Sequence, residues 1–422
     1  MRVEANRAEL LAAAQNAARI ASSVSPLEMF KCASLETEND RLVIAATNGE
    51  MSFERRIPVN IAEDGQTMVN AHLLVEMVRR MGGDTVTVSH DPDGRVCFKS
   101  GETEYRFPVM NDVQYPRTEI PFPEDTVSVT GIPALVKRAA FAVPATEKAA
   151  GTATMKCVRL TFRSDGLRAV STDGYRIASA KGESKSAADA QLLVPAHSLE
   201  RLAQLVTNAD ELKVGITGTS VVFMKEDMVF STRMVEGRFA EVDKVLAALR
   251  PTFMILTDAE ALRNVVASSC VVMGTQNRFK LTFHGSRLES HCQSENGTSG
   301  LGLDVTALSG TPGGDFWFHP RLLLDCLRAL SGTLKLGIVS NGALVMQTEN
   351  LTCVQVAMRE PASNAARCPE AKPAASGAEE TVKPTADKPK TAKPKTRKKA
   401  KTGEMPGTEK ETNETPAGKE AA

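Results

Sequence analysis

Apolar side chains recur at helical spacing in three stretches that align without gaps: NAHLLVEMVRRM from Asn70, PAHSLERLAQLV from Pro195 and HPRLLLDCLRAL from His319. In the first, Leu74, Met77, Val78 and Met81 fall on one face, the spacing of an amphipathic helix. Each stretch is followed by a segment that alternates apolar and polar residues (DTVTVSH, ELKVGIT, TLKLGIV), the two-residue period of a half-buried strand. The offsets between the stretches are 125 and 124 residues, so the chain carries a threefold internal repeat.

A second helical series precedes the first in each repeat: AELLAAAQNAARIA, IPALVKRAAFAV and AEALRNVVASSCVV. Between the two helices lies a strand-turn-strand segment: RLVIAATNGEMSFERRI, GLRAVSTDGYRIASA and RLESHCQSENGTSGLGLDV. Asn48-Gly49 and Asp173-Gly174 read as two-residue hairpin turns, because these residue types tolerate positive φ. The order predicts α+β domains with helices segregated from antiparallel sheet, at residues 1–122, 123–250 and 251–360. Residues 361–422, rich in Ala, Pro, Lys, Thr and Glu, hold too few large apolar side chains to offset chain entropy and are expected to be disordered. The basic run KPKTAKPKTRKKAK within them reads equally as a solvated linker or as an arm drawn to phosphates.

Composition narrows the function class. The chain is 42% hydrophobic and 24% charged, ordinary values for a globular protein. It has no apolar run near the roughly 20 residues that span a bilayer, and its N-terminus fits no secretory signal, so a cytoplasmic location is expected. Eight cysteines stand singly at 32, 97, 157, 270, 292, 326, 353 and 368; without a C-x-x-C pair they read as free thiols. The formal charge of zero divides into 13 basic and 9 acidic residues from Pro361 onward, against 38 and 42 before it. A DNA-binding body with that acidic excess must gather its positive charge on one surface.

Catalytic signatures are missing. There is no phosphate loop, H-E-x-x-H or G-x-S-x-G. The six histidines are dispersed, and only His284 and His291 lie close together. Asp91-Pro-Asp93-Gly94 reads as a turn, since the later ligands of a calcium loop are missing. Gly297 to Gly302 opens no helix and so forms no dinucleotide loop. Neither a metal nor a cofactor is expected.

Over residues 1–360 the chain resembles the beta subunit of bacterial DNA polymerase III, the replicative sliding clamp. The resemblance is carried by STDGYRIA (171–178), LLVPAHSLERL (192–202), FSTRMVEGRFAEVDKVL (230–246), WFHPRLLLDCLRAL (317–330) and CVQVAMR (353–359). It implies three clamp domains per chain, joined head to tail by two subunits into a non-enzymatic ring around duplex DNA. The implied partners are DNA of any sequence, the polymerase catalytic subunit, the clamp loader and other proteins bearing a clamp-binding motif.

The resemblance also assigns residues. The DNA-facing set on the helices is Arg7, Arg19, His72, Arg79, Arg80, Lys137, Arg138, His197, Arg201, Arg263, Arg321 and Arg328. A partner-peptide cleft takes Thr172, Gly174, Tyr175, Arg176 and Ile177, then Ala240, Lys244 and Val245, then Val354, Val356, Ala357, Met358 and Arg359. Arg176 and Arg359 are expected to bond peptide carbonyls or acids there. The dimer interface is expected at Tyr105 and Phe107, against the partner's region around Val271 and Val272. The chain departs from the family in three places. Residues 20–30 hold no basic residue; His72 and His197 stand where lysine or arginine is usual; and Val356-Ala357-Met358-Arg359-Glu360 replaces the family's M-P-M-R-L ending. Imidazoles are partly charged near neutral pH, so weaker or more pH-sensitive DNA binding is expected. A clamp-derived paralogue, a hydrolase with a diffuse site and a monomeric repeat scaffold are the alternatives.

Overall fold

Both helical series form where their apolar spacing places them in the computed structural model, which describes residues 1–108, 115, 120, 123–144, 152–185, 189–275 and 277–360. The expected disorder of residues 361–422 lies outside the described residues. The leading helices are α1 (Arg7–Ile20), α3 (Ile132–Ala139) and α6 (Ala259–Ser269); the trailing ones are α2 (Ala71–Arg80), α4 (Ala196–Leu205) and α7 (Pro320–Ala329). A seventh, α5 (Val242–Ala248), precedes the third repeat.

Local chemistry sets the helix starts. Asn6 Oδ1 accepts from the amides of Ala8 and Glu9, and Asn70 Oδ1 from those of His72 and Leu73. Asp258 caps α6 through the amide of Ala261. Each cap satisfies donors that the first helical turn leaves open. The inward stripes then anchor the helices on the sheets: Leu10, Ala17 and Ile20; Leu74, Met77 and Val78; Leu323 and Leu327 are all buried. Each fully buried Leu or Ile contributes about 1.5–3 kcal/mol.

Every repeat has two sheets, an A-sheet and a B-sheet. In the first, Arg2–Asn6, Thr85–His90, Arg95–Ser100 and Thr103–Pro108 build the A-sheet, while Cys32–Glu38, Arg41–Thr47, Met51–Glu63 and Gln66–Asn70 build the B-sheet. In the second, Thr126–Thr130, Leu212–Thr217, Ser220–Lys225 and Met228–Arg233 correspond to the A-sheet, and Cys157–Arg163, Gly166–Thr172, Arg176–Lys185 and Ala190–Pro195 to the B-sheet. In the third, the A-sheet is Pro251–Asp258, Thr306–Ser309, Thr333–Val339, Leu344–Gln347 and Leu351–Gln355. Its B-sheet is Phe279–His284, Arg287–Ser294, Gly297–Asp304 and Gly313–Phe318.

One rule of junction joins the repeats. The last A-sheet strand of the second repeat, Met228–Arg233, pairs antiparallel with Met51–Glu63 in the B-sheet of the first, with Phe230 opposite Phe53. The last A-sheet strand of the third, Leu351–Gln355, pairs the same way with Arg176–Lys185 of the second, with Cys353 opposite Ala178. An ion pair locks the first junction, Arg55 Nε to Asp227 Oδ2 at 3.0 Å.

The hairpins differ from expectation in one respect. Both Asx-Gly turns sit in three-residue connections, Asn48–Glu50 and Asp173–Tyr175. Asn48 and Asp173 keep negative φ, and only Gly49 (φ +89°) and Gly174 (φ +85°) enter the left-handed region. The carboxamide and carboxylate are used otherwise: Asn48 Oδ1 accepts from the amides of Glu50 and Met51, and Asp173 Oδ1 from those of Tyr175 and Arg176. Such side-chain-closed turns need no positive φ at the Asx residue.

Candidate nucleic-acid face and partner cleft

The helices touch in an unbroken series. Within each repeat α1 packs on α2, α3 on α4, and α6 on α7; between repeats α1 meets α4, and α7 meets the turn Ala140–Ala142 that follows α3. The expected DNA-facing residues ride on this series. His72, His197 and Arg321 occupy the same position near the start of α2, α4 and α7, and all three are exposed. Arg19, His72, Arg79 and Arg201, from three helices and two repeats, line one depression of about 590 Å³.

Several of these cations have a neighbour of opposite charge. Glu76 accepts from Arg79 and lies 3.5 Å from Arg80. Arg263 pairs with Glu260 at 2.9 Å and Arg328 with Asp325 at 2.8 Å. His197 Nε2 lies 3.1 Å from Glu50 Oε2. Pairs this exposed are worth about 0–1 kcal/mol, so a phosphate can displace them. Arg7 is only half-exposed, and its buried Nε has no bonding partner among the described residues; Arg138 is also half-exposed, while Lys137 is exposed.

The second assembly lies at the junction of repeats two and three. Tyr175, Val245 and Val356 come from the Asp173–Tyr175 turn, α5 and the segment after Gln355, and expose 64%, 48% and 44% of their surfaces. Beneath them Ile177 and Leu246 belong to two small apolar clusters, one around Val170, Leu193 and Phe239, the other around Val345 and Val354. The last segment crosses between repeats: Val356 N donates to Tyr175 O (2.9 Å) and Met358 N to Trp317 O (2.7 Å). Ala357 and Met358 are half-buried, while Ala240, Lys244 and Arg359 are exposed. Thr172 stiffens the turn, its Oγ1 donating to Arg176 O and accepting from Gly174 N.

Arg176 requires correction. Expected to reach toward a peptide, it is buried, and its guanidinium is consumed internally. Nε lies 3.0 Å from Asp173 Oδ2 and Nη1 lies 2.9 Å from Asp325 Oδ2, while Nη2 donates to Phe141 O at 2.8 Å. The group also stacks 5.4 Å from the Phe141 ring centroid. Arg176 therefore holds the turn to α7, with all three of its guanidinium nitrogens bonded inside the protein.

A family model for the N-terminal domain of the DNA polymerase III beta subunit matches residues 1–119, and the model for its central domain matches residues 126–241, together more than half of the chain. The chain belongs to this family. It is accordingly a DNA sliding clamp, a processivity factor for DNA polymerase III, and not an enzyme. The beta sliding clamp of Bacillus subtilis is 21% identical over 353 residues, covering 79% of this chain and 91% of that one; the clamp of Streptococcus pneumoniae TIGR4 is 21% identical over 339 residues, 77% and 89%. The crystal structure of the Bacillus subtilis sliding clamp superposes with TM-score 0.79 at 18% identity, covering 86% of this chain and all of that one. A Pseudomonas aeruginosa clamp bound to griselimycin gives 0.77 at 19%, covering 85% and all.

Several features of this clamp are invisible to residue-by-residue carry-over. Leu246 and Leu249 supply the apolar floor beside Ile177, and the helical spacing of VDKVLAAL was their only trace. Arg159, buried against the Phe239 ring, pins α5 through Asp243 with Nη2 at 2.8 and 2.7 Å from its two oxygens. Among the described residues Gly297–Asp304 is one edge strand of the third repeat's B-sheet, and the turn Cys270–Val272 packs beside it. Val271 and Val272 thus flank the edge and do not form it. No group of three His, Cys, Asp or Glu side chains among the described residues is arranged to hold a metal.

His319 marks a pH-sensitive point. Its Nδ1 accepts from Leu322 N at the start of α7, a role open only to the neutral ring. Burial, then the nearby Arg321 and Arg176 charges, lower its pKa from the usual 6.5. Well above pH 6.5 the ring is neutral in both folded and unfolded chains and costs nothing. Below it the unfolded chain takes up a proton that the folded one resists, so stability falls with pH until the folded ring itself titrates. His319→Asn, which transplants the Asn70 cap, is expected to flatten urea midpoints between pH 7.5 and about 5.5. An unchanged slope would remove His319 as the cause.

Proposed function

We propose that two copies close head to tail into a ring that encircles duplex DNA, with 1–122, 123–250 and 251–360 as its domains. One observation carries this reading. The same A-to-B strand pairing joins repeats one to two and two to three, and among the described residues it leaves an unmatched A edge, Thr103–Pro108, and an unmatched B edge, Gly297–Asp304. A third use of the junction needs a second chain. A head-to-tail contact of this kind generates a closed ring when its rotation closes, and pairing also hides exposed sheet edges that would otherwise aggregate. Tyr105 and Phe107 then meet the partner's Gly297–Asp304 with Val271 and Val272 alongside. The contiguous helices face the duplex and touch phosphates through shallow, exchangeable contacts, as sequence-blind sliding requires.

The cleft at Tyr175, Ile177, Val245, Val354, Val356 and Met358 takes an apolar linear peptide from the polymerase catalytic subunit, the clamp loader and other factors, in the cytoplasm. Three exposed apolar side chains over a deeper Ile and Leu suit insertion of peptide side chains, with Met358 adapting its shape. Thr172 and Gly174 shape the turn beneath, and Ala240, Lys244, Ala357 and Arg359 form the rim. Native mass measurement at micromolar concentration tests the ring. A mass of two chains is expected, and a monomer at all concentrations would contradict it.

A further inference from the structure

Glu76, Arg201 and Asp325 hold the same position in the three aligned trailing helices, yet only Asp325 is shared between two surfaces. Its Oδ1 lies 2.8 Å from Arg328 Nη1, an exposed cation on α7, and its Oδ2 lies 2.9 Å from Arg176 Nη1. Arg176 in turn bonds Asp173, whose other oxygen holds the amides of Tyr175 and Arg176 at 2.9 Å each. In repeat one the equivalent Glu76 bonds Arg79 and Arg80 of its own helix, and in repeat two the position is a cation. Among the described residues the relay therefore exists once, beside the cleft.

We infer that Asp325 couples DNA contact to the cleft: a phosphate that draws Arg328 away leaves the carboxylate to Arg176 alone and tightens the turn bearing Tyr175. This inference rests on the pore and cleft assigned above. The direction follows from competition. Two guanidiniums share one charge, the Arg328 pair is exposed and weak, and the Arg176 contact is shielded by burial, so losing Arg328 concentrates the carboxylate on the buried partner. Linkage makes the effect reciprocal: whatever occupies the cleft and favours the tightened turn strengthens duplex binding by the same factor. Arg176 is thus a positioning residue, acting on the cleft through Asp173.

Hydrogen exchange on the full chain, with and without a short linear duplex at low salt, reads this directly. Duplex is expected to protect the helices and to slow exchange at the Tyr175 and Arg176 amides about fivefold. In Asp325→Asn, a change outside the DNA-facing set, helix protection by duplex persists while the slowing at 175 and 176 disappears; in Arg328→Gln duplex binds more weakly and the two amides are already slowed without it. Protected helices with unchanged 175 and 176 amides in the wild type would overturn the coupling and leave the ring intact. So would a slowing that survives in Asp325→Asn. A duplex that protects no helix overturns the pore assignment, and this inference with it.

Discussion

A Val271→Glu substitution is expected to convert the paired chains into folded monomers at concentrations where the parent is dimeric. Val271 is 80% exposed in the single chain, so the change costs the monomer almost nothing. At the proposed junction it sits beside the Gly297–Asp304 edge, where closure strips water from it. A carboxylate buried there without a cation costs about 3 kcal/mol or more, roughly a hundredfold in the dimer dissociation constant. Sedimentation across a concentration series measures it, with circular dichroism confirming that the fold is retained. A dimer constant unchanged within threefold would move the interface elsewhere.

The second large effect concerns stability. Arg176→Ala removes a buried cation from between two carboxylates, a carbonyl and an aromatic face. Asp173 then remains nearly buried without its partner, and Phe141 O loses its donor. Breaking a buried pair by deleting one member costs about 3–5 kcal/mol. The expected result is a drop of that size in urea unfolding free energy for the module containing repeats two and three, with weaker peptide binding because the Tyr175 turn is no longer held. Arg176→Lys restores charge without the planar fork and is expected to recover less than half. A loss below about 1 kcal/mol, the scale of an exposed pair, would show that the strut carries little load.

Much of the fold was legible because each helix and strand announces itself over ten or so residues. The apolar period of LLVEMVRRM, SLERLAQLV and LLLDCLRAL selects the buried face whatever surrounds it, and the 125-residue offset reveals the repeat without any knowledge of three-dimensional form. The junctions were not legible. That Leu351–Gln355 pairs with Arg176–Lys185 is a register between segments about 175 residues apart, and no local pattern encodes it. The burial of Arg176 is hidden in the sequence for the same reason. In T-D-G-Y-R the arginine looks like a solvent-facing turn residue, and its burial comes from Phe141, Leu322 and Asp325, all distant in sequence. The Asx-Gly turns show the opposite case: the hairpins were placed correctly, but the closing side-chain bonds, and with them a third loop residue, depend on how Asn48 and Asp173 use their oxygens.

Ring topology is the claim on which the rest depends, and retention on DNA of different topology tests it most directly. Clamp assembled on nicked circular duplex should stay bound through a high-salt gel filtration, because a closed ring needs no attractive contact to remain threaded. Cutting the same circle once should release it within minutes as it slides off the ends. Equal retention on circular and linear DNA, or equal loss from both, would mean that the chain holds DNA by contact alone, contradicting the account.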